Sequence, residues 1–301
     1  MESSIDSVGI VGLGVLGTAI LETLKLFNLS TKCYDKYKTI NLGDNICSGI
    51  NELINCNFIY LCLPTPYVED NNGNGNGNGN GNGNGNGNGA YDKTELYNVV
   101  DELDTYNYSG LIIIKSTVEP GTTENILNKY PNLKIIHNPE FLTARTAADD
   151  FINQKHIVLG IPSTLVNKDY DIIVKFYETY FPDAKLSICN SKESECMKIA
   201  CNSFYATKIQ FFTEIKLLCD KLDIDYNNVK NLMLNNEWIN PMHTNIPGPD
   251  GKLSFGGACF PKDTRALNSF MKTNNVHNQV INAVVEENKK MRDRNTCLWN
   301  I

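Results

Sequence analysis

The residues richest in chemistry lie together at Gly256-Gly257-Ala258-Cys259-Phe260-Pro261-Lys262-Asp263. A cysteine stands at the end of a glycine-flexed approach, and glycines let the backbone come close to a ligand. A lysine follows at the third position after it. A cation near a thiol favours the thiolate, and the thiolate is the nucleophile. Asp263, one turn beyond the cysteine, is suited to steer a proton or hold a water. Pro261 is expected to stop the chain just after Cys259. An inert buried cysteine fits these neighbours poorly, so Cys259 reads as a reactive one.

A second cluster opens the chain, where the apolar run at 8–11 leads into Gly12, Gly14 and Gly17 and a helical pattern continues through Leu26. A strand before and a helix after are what a dinucleotide-binding turn requires. Val15 and Leu16, between the glycines, count with the cofactor-binding residues. A second strand at 32–34 ends in Asp35, roughly 20 residues beyond the turn, where an acid binds a ribose 2′-hydroxyl and repels a 2′-phosphate. NAD is therefore expected over NADP, although Lys36 and Lys38 are close enough to blur the preference. A nucleotide site combined with an activated cysteine points to oxidation through a covalent thiol adduct.

These groups need elements to position them, and 301 residues are enough for two domains. Short apolar runs at 8–13, 32–34, 58–63, 111–115, 134–137 and 156–160 alternate with helical patterns. Such alternation predicts βαβ units: a Rossmann-like, doubly wound parallel sheet, expected over 1–190. Ligands of such sheets bind at the carboxyl ends of the strands. Those ends carry Pro64 and Thr65, Ser116 and Thr117, and Asn138-Pro139-Glu140. From 191 the pattern becomes all-helical, with helices expected at 191–222, 225–234, 264–271 and 276–292. Ser191, with Ser194 and Glu195 following, offers a capping start. A proline- and glycine-rich loop at 240–258 delivers Cys259. Residues 72–89 are an uninterrupted Asn-Gly repeat with no apolar side chain to bury. The high entropy cost of ordering it predicts a disordered surface insertion.

Composition excludes other classes. The net charge of −7 argues against a nucleic-acid partner. No apolar run approaches the ~20 residues needed to cross a bilayer. Residues 1–6 lack the basic and apolar parts of a signal peptide, so a cytoplasmic protein is expected. Of ten cysteines, Cys33, Cys62, Cys201 and Cys219 fall within apolar patterns and read as reduced, buried small hydrophobes. No pair shows zinc-site spacing, and no metal is expected.

Taken singly, several polar residues have plain alternatives. Lys198 suits a solvated helix face, Asn202 a local backbone bond, Glu140 the cap of the next helix, and Thr117 a strand-end turn. Taken in order, the segments say more. Gly12-Gly14-Gly17, Leu63-Pro64-Thr65-Pro66, Lys115-Ser116-Thr117-Val118, Asn138-Pro139-Glu140-Phe141-Leu142, Lys198 with Asn202 and Phe204, and the stretch from Phe255 to Asp263 resemble the UDP-glucose/GDP-mannose dehydrogenase family over nearly the whole chain. The resemblance implies oxidation of a sugar-nucleotide primary alcohol to a carboxylate, UDP-glucose to UDP-glucuronate, in two hydride transfers to NAD. It implies Cys259 as the nucleophile that forms a thiohemiacetal and then a thioester. Lys198 would stabilise charge on the reacting oxygen, Asn202 and Asp263 would hold the catalytic water, and Thr117 would help place water or cofactor. Glu140 would act as acid-base group and substrate contact. Phe141, Leu142, Thr143, Phe255, Gly256 and Gly257 would also contact substrate. Pro64, Thr65, Ser116 and Lys262 would contact the cofactor.

The resemblance also implies a homodimer formed through the helical domain. The sequence departs from the family at Ala144 and Arg145, where an acid followed by glycine is usual, which implies a lost cofactor contact. Family members continue into a second Rossmann-like domain that completes the UDP site. An NAD-binding pseudoenzyme without turnover therefore remains an alternative, as does a dehydrogenase of GDP-mannose or UDP-N-acetylmannosamine.

Overall fold

The computed structural model describes residues 5, 7–37, 45–69 and 89–292. The Asn-Gly run, Gly89 apart, lies outside them, as does Lys38. The described chain divides into two compact units. One holds the residues up to 66 together with 91–198; the other holds 199–292 with 67–69 and 89–90. The division falls inside one long helix.

The first unit follows the alternation in the sequence. Its elements are β1 (Val8–Val11), α1 (Val15–Leu26), β2 (Thr31–Tyr34), a 3-10 turn (Ile50–Leu53) and β3 (Phe58–Leu61). The short strands β4 (Tyr67–Val68) and β5 (Ala90–Tyr91) flank the Asn-Gly run. There follow α2 (Thr94–Thr105), β6 (Leu111–Ile114), α3 (Thr122–Lys129), β7 (Lys134–His137), α4 (Ala147–Ile152), β8 (His156–Ile161), α5 (Asn167–Tyr180) and β9 (Lys185–Asn190). The sheet order is β2-β1-β3-β6-β7-β8-β9. All four residues of β1, β3 and β6 are buried, because helices cover both faces of a parallel sheet. Alternate side chains feed two cores. Ile10, Phe58, Tyr60 and Ile113 join Ile20, Phe176 and Tyr177 on one face. Val11, Ile59, Leu61, Ile112 and Ile114 join Val100 and Ile126 on the other.

Two features differ from the sequence expectation. The sheet is not parallel throughout: β8 meets β7 antiparallel at the single pair His137–Gly160, while β8 and β9 run parallel to each other. After β7 the chain forms only the short α4, which packs on α1 rather than carrying the chain back across the sheet. The second difference is β9 itself. None of its residues is fully buried, so it lacks the apolar run that marks an inner strand.

The second unit is helical. It takes the greater part of α6 (Ser191–Lys221), then α7 (Tyr226–Leu234), α8 (Phe260–Thr273) and α9 (Gln279–Arg292). Phe212, Cys219, Tyr226 and Ile246 form one apolar cluster, and Ala206, Phe255 and Val284 another. Asp225 caps α7 by accepting from Asn227 N at 2.9 Å. The start of α6 is capped one residue earlier than expected. Asn190 Oδ1 accepts from Lys192 N at 2.9 Å, and Asn190 N donates to Glu193 Oε2 at 2.8 Å. That reciprocal pair is a capping box; the Ser191 hydroxyl is buried without a partner. Pro261 also behaves differently from expectation. It lies in the first turn of α8 and starts that helix directly after Cys259, because the N–H it lacks would be unpaired there in any case.

Candidate active site

The turn between β1 and α1 is shaped by three glycines doing three things. Gly12 has φ +90, and a Cβ there would stand 2.4 Å from the Cys62 carbonyl oxygen. A Cβ on Gly17 would stand 1.9 Å from the Gly12 carbonyl oxygen, so Gly17 lets α1 close onto the turn. Gly14 differs: a Cβ there would meet nothing within 4 Å. The space beside Gly14, at the uncapped start of a helix with no acid in its first turn, suits a pyrophosphate. Val15 is exposed there, whereas Leu16 packs against the core. Asp35 follows β2. Its Oδ2 accepts from Leu13 N at 2.6 Å and its Oδ1 from Tyr37 N at 2.9 Å. A cavity of about 300 Å³ opens beside it, lined by Gly12, Asp35, Lys36, Tyr37, Pro64 and Glu95 among others. The residues present fit an adenine dinucleotide.

The ends of β3 and β6 are laced together. Ser116 Oγ donates to Leu63 O at 2.7 Å and accepts from Leu63 N at 3.1 Å. Thr65 Oγ1 donates to Thr117 O at 2.8 Å. Thr117 is buried. The next group was not singled out in the sequence. Buried Glu119 accepts from Tyr91 N at 2.7 Å and pairs with buried Lys93 at 2.5 Å, fixing the chain just after the Asn-Gly run.

Beyond β6 and β7 lies a buried polar cluster. Lys115 Nζ donates to Asn138 Oδ1 at 2.9 Å, Tyr177 donates to the same oxygen at 2.5 Å, and Asn138 Nδ2 donates to Val158 O at 2.8 Å. Burial pushes the Lys115 ammonium down to about 8, with Cys62 and Glu140 opposing that shift. Burial likewise drives His137 down to about 3. Glu140 does not cap α4. Its Oε2 accepts from Leu142 N at 2.6 Å, and its Oε1 lies 3.3 Å from Lys198 Nζ. Lys198 is not a solvated helix lysine: it is 3% exposed, and its ammonium lies 5.2 Å from the centre of the Phe141 ring. Thr143 N donates to Asp150 Oδ2 at 2.7 Å. Ala144 and Arg145 are exposed in the turn before α4.

In the helical unit, Cys259 is the exposed N-cap residue of α8. A helix N-terminus favours negative charge. Asp263, fully buried, accepts from Asn202 Nδ2 at 2.6 Å and pairs with Lys262 at 2.5 Å. The Asn202 amide is thus committed to a side chain and not to its own backbone. Asn202 stands one turn after Lys198 on α6. Phe260 packs between Tyr205 and His243, with ring centres 6.2 and 5.4 Å away.

Side chains from α6 and α9 hold the approach to Cys259, and the sequence did not single them out. Ser254 is buried with φ +58, a left-handed conformation that costs free energy outside glycine. Its N donates to Thr213 Oγ1 at 3.2 Å and its Oγ to Gln210 Oε1 at 2.6 Å. Asn288 Nδ2 donates to Ser254 Oγ at 2.9 Å and to Phe255 O at 2.7 Å. Arg292 donates to the Asp250 carboxylate and to Ser254 O. A Cβ on Gly256 would stand 2.8 Å from Arg292 Nη1, and Gly257 has φ +80. Both glycines are thereby explained.

Burial pushes the Cys33 and Cys62 thiols up to about 12, which suits inert cysteines. Cys33 and Cys219 are buried as expected, but Cys62 and Cys201 are only half-buried, and Cys196 is exposed like Cys259. Among the described residues, no three His, Cys, Asp or Glu side chains are gathered as a metal ion would require, and no helix is long and apolar enough to cross a membrane.

Comparison with known proteins gives this geometry a family. Residues 31–180 match the NAD binding domain of the UDP-glucose/GDP-mannose dehydrogenase family, and residues 192–290 match its central domain. The UDP-glucose 6-dehydrogenase of Rickettsia bellii is 35% identical over 205 residues, 66% of this chain and 45% of that protein. That of Rickettsia felis is 30% identical over 246 residues, 80% of this chain and 49% of the relative. The chain thus spans about half the length of these curated relatives. The solved UDP-glucose dehydrogenase of Pyrobaculum islandicum superposes with a TM-score of 0.79 at 22% identity, covering 96% of this chain and 69% of that one, a likeness of fold. The cofactor of the first unit is NAD. The two domain matches run in order along most of the sequence, and the chain belongs to the UDP-glucose/GDP-mannose dehydrogenase family.

Proposed function

We propose that the chain carries the oxidising machinery for converting UDP-glucose to UDP-glucuronate. The choice of sugar follows curated relatives at 30% identity and above, those of Rickettsia bellii and Rickettsia felis among them, which are UDP-glucose 6-dehydrogenases. NAD, held by Gly12, Gly14, Gly17, Asp35, Pro64, Thr65 and Ser116, supplies the hydride acceptor for each of two oxidations. Cys259 Sγ adds to the aldehyde carbon left by the first oxidation, and the aldehyde oxygen takes a proton to give a thiohemiacetal. Loss of that proton and of the carbon-bound hydride gives a thioester. Water then adds, the C–S bond breaks, and a carboxylate and the thiol result. Lys198 stabilises negative charge on the reacting oxygen, and Glu140, 3.3 Å from it, exchanges the proton. Asp263 and Asn202 hold the water, with Thr117 assisting. Phe141, Leu142, Thr143 and the loop of Phe255, Gly256 and Gly257 bind the substrate, and Lys262 contacts the cofactor.

One observation carries this reading: Cys259 caps α8 beside a fully buried Asp263 that is hydrogen-bonded to Asn202. Buried carboxylates are costly and need a reason, and holding a hydrolytic water one turn from the nucleophile is such a reason. The test is to mix the protein with NAD and UDP-glucose, or GDP-mannose, or UDP-N-acetylmannosamine, and follow NADH. NADH with UDP-glucose alone supports the proposal. Cys259→Ser should then block uronate formation. NAD binding without NADH from any of the sugars overturns it in favour of a non-catalytic binder.

The reading includes a homodimer through α6. Phe204, Phe211, Leu218 and Leu222 are each at least half exposed, and their spacing of seven, seven and four places them in one stripe. A self-complementary stripe suits a second copy packed about a two-fold axis. Phe211→Glu should convert a dimer to a monomer in light scattering, and a monomeric wild type removes the proposal.

A further inference from the structure

The cavity beside Asp35 poses an electrostatic question. Asp35 alone is the expected guard against a 2′-phosphate, yet both of its oxygens already accept backbone N–H groups, from Leu13 and Tyr37. The next residue is a lysine. A lysine ammonium beside the ribose edge is the point charge that would welcome a 2′-phosphate. Left to itself, Lys36 would weaken the preference that Asp35 sets.

Lys36 is not left to itself. Its Nζ lies 3.4 Å from Glu95 Oε1, and the Tyr37 hydroxyl donates to the same oxygen at 3.3 Å. Glu95 is in the first turn of α2, where the helix macrodipole favours its negative charge. Asp101 and Glu102 of the same helix line the same cavity. Among the described residues that line the cavity, four carboxylates thus accompany one ammonium, and that ammonium is already paired. A phosphate dianion entering here would meet uncompensated negative charge, and like charges at short range are a means of rejecting a ligand.

We infer that Glu95 is a specificity-determining residue: by holding Lys36 it removes the cation that would accept a 2′-phosphate, and so completes the choice of NAD over NADP. The inference rests on NAD as the cofactor of the first unit and is independent of the sugar nucleotide. The pair is exposed, with side-chain exposures of 54% for Lys36 and 27% for Glu95, so its influence should fade at high salt.

Calorimetric titration of the wild type, Glu95→Gln, Lys36→Gln and the double variant with NAD and with NADP tests it, without any turnover. Glu95→Gln should shift the ratio of the two dissociation constants toward NADP by about three- to tenfold. Adding Lys36→Gln should cancel that gain. A ratio changed by less than about twofold, or a gain that survives Lys36→Gln, overturns the inference while leaving NAD binding intact. Failure of the wild type to bind NAD would instead overturn the cofactor reading, and the inference with it. Unchanged melting temperatures show that the variants report on recognition and not on folding.

Discussion

The dinucleotide turn and the thiol loop both bring glycines to a ligand, but they are built by opposite means. The turn is made by backbone. Gly12, Gly14 and Gly17 lie within six residues, between a strand and the helix it feeds, and the contacts that require Gly12 and Gly17 are to backbone carbonyls, of Cys62 and of Gly12. The loop before Cys259 is held by side chains from distant parts of the sequence. Gln210 and Thr213 reach it from α6, Asn288 and Arg292 from α9, and they hold Ser254 in a conformation that it would not adopt alone. A site made by local steric rules is robust to change elsewhere; a site made by tethers depends on every tether.

The sharpest way to break the contrast is within the turn itself. Gly17→Ala places a Cβ 1.9 Å from the Gly12 carbonyl oxygen, so α1 and the turn must separate. A loss of about 3 kcal/mol or more is expected, with NAD binding abolished. Gly14→Ala adds a methyl where nothing lies within 4 Å. Chemical denaturation of that variant should match the wild type within about 0.5 kcal/mol, while NAD affinity falls at least about tenfold. Equal destabilisation by the two would show that Gly14 serves the fold and not the ligand.

The tethers come next. Asn288→Ala leaves Phe255 O without its buried donor and should cost about 1–3 kcal/mol. The informative readout is local. Amide hydrogen exchange should quicken over 254–259 while the amides of β1 and α1 keep their protection. If exchange quickens evenly over the helical unit, Asn288 is an ordinary core group and the loop does not depend on it.

This division explains what the sequence disclosed. The strand ends, the glycine turn and Asp35 could be read because βαβ units impose a fixed local spacing, and Cys259 and Asp263 because they share one helical turn. The antiparallel arrival of β8 was not legible, since nothing in an apolar run records the direction from which a strand enters. Neither was β9, an edge strand without a buried residue. Glu119, Lys93, Glu95, Ser254, Asn288 and Arg292 were missed because each matters only through a partner at least 26 residues away in the chain. A glutamate directly after Ser116-Thr117-Val118, at the end of a buried strand, was the one available signal among them.

Glu195 belongs to the first unit yet works as a tether. It is fully buried near the start of α6, and its carboxylate accepts from Gly121 N at 2.5 Å, Thr123 N at 2.8 Å and Thr123 Oγ1 at 2.6 Å, capping α3. Burial nevertheless pushes this carboxyl up to about 7, against the pull of those donors. In the unfolded chain it returns to the usual carboxylate range, so between pH 4.5 and 7 the folded state binds more protons than the unfolded one. Its contribution is full below that window and is lost as pH rises through 7. Glu195→Gln should flatten the pH dependence of stability between pH 5 and 7 by about 1–2 kcal/mol in urea titrations. The wild type should lose relative stability as pH rises, and a slope of opposite sign in the difference would mean that the donors outweigh burial.

The smallest effect is expected where the chain is longest and least specific. The Asn-Gly run at 72–89 begins and ends at pinned stubs. Gly89 N donates to Val68 O at 2.8 Å, the Tyr67 and Ser269 hydroxyls are 3.0 Å apart, and Arg265 pairs with Glu69 at 3.0 Å. These contacts hold 67–69 and 89 to each other and to α8. Closing a flexible loop costs free energy that grows only logarithmically with length, about 0.6 kcal/mol per doubling. Replacing 72–88 by a two-residue turn should therefore raise the melting temperature by a few degrees at most and leave the NAD-induced shift unchanged. A fall of several degrees would mean that the run makes stabilising contacts. The stubs at 67–69 and 89–90 would then depend on a distant tether as the thiol loop does.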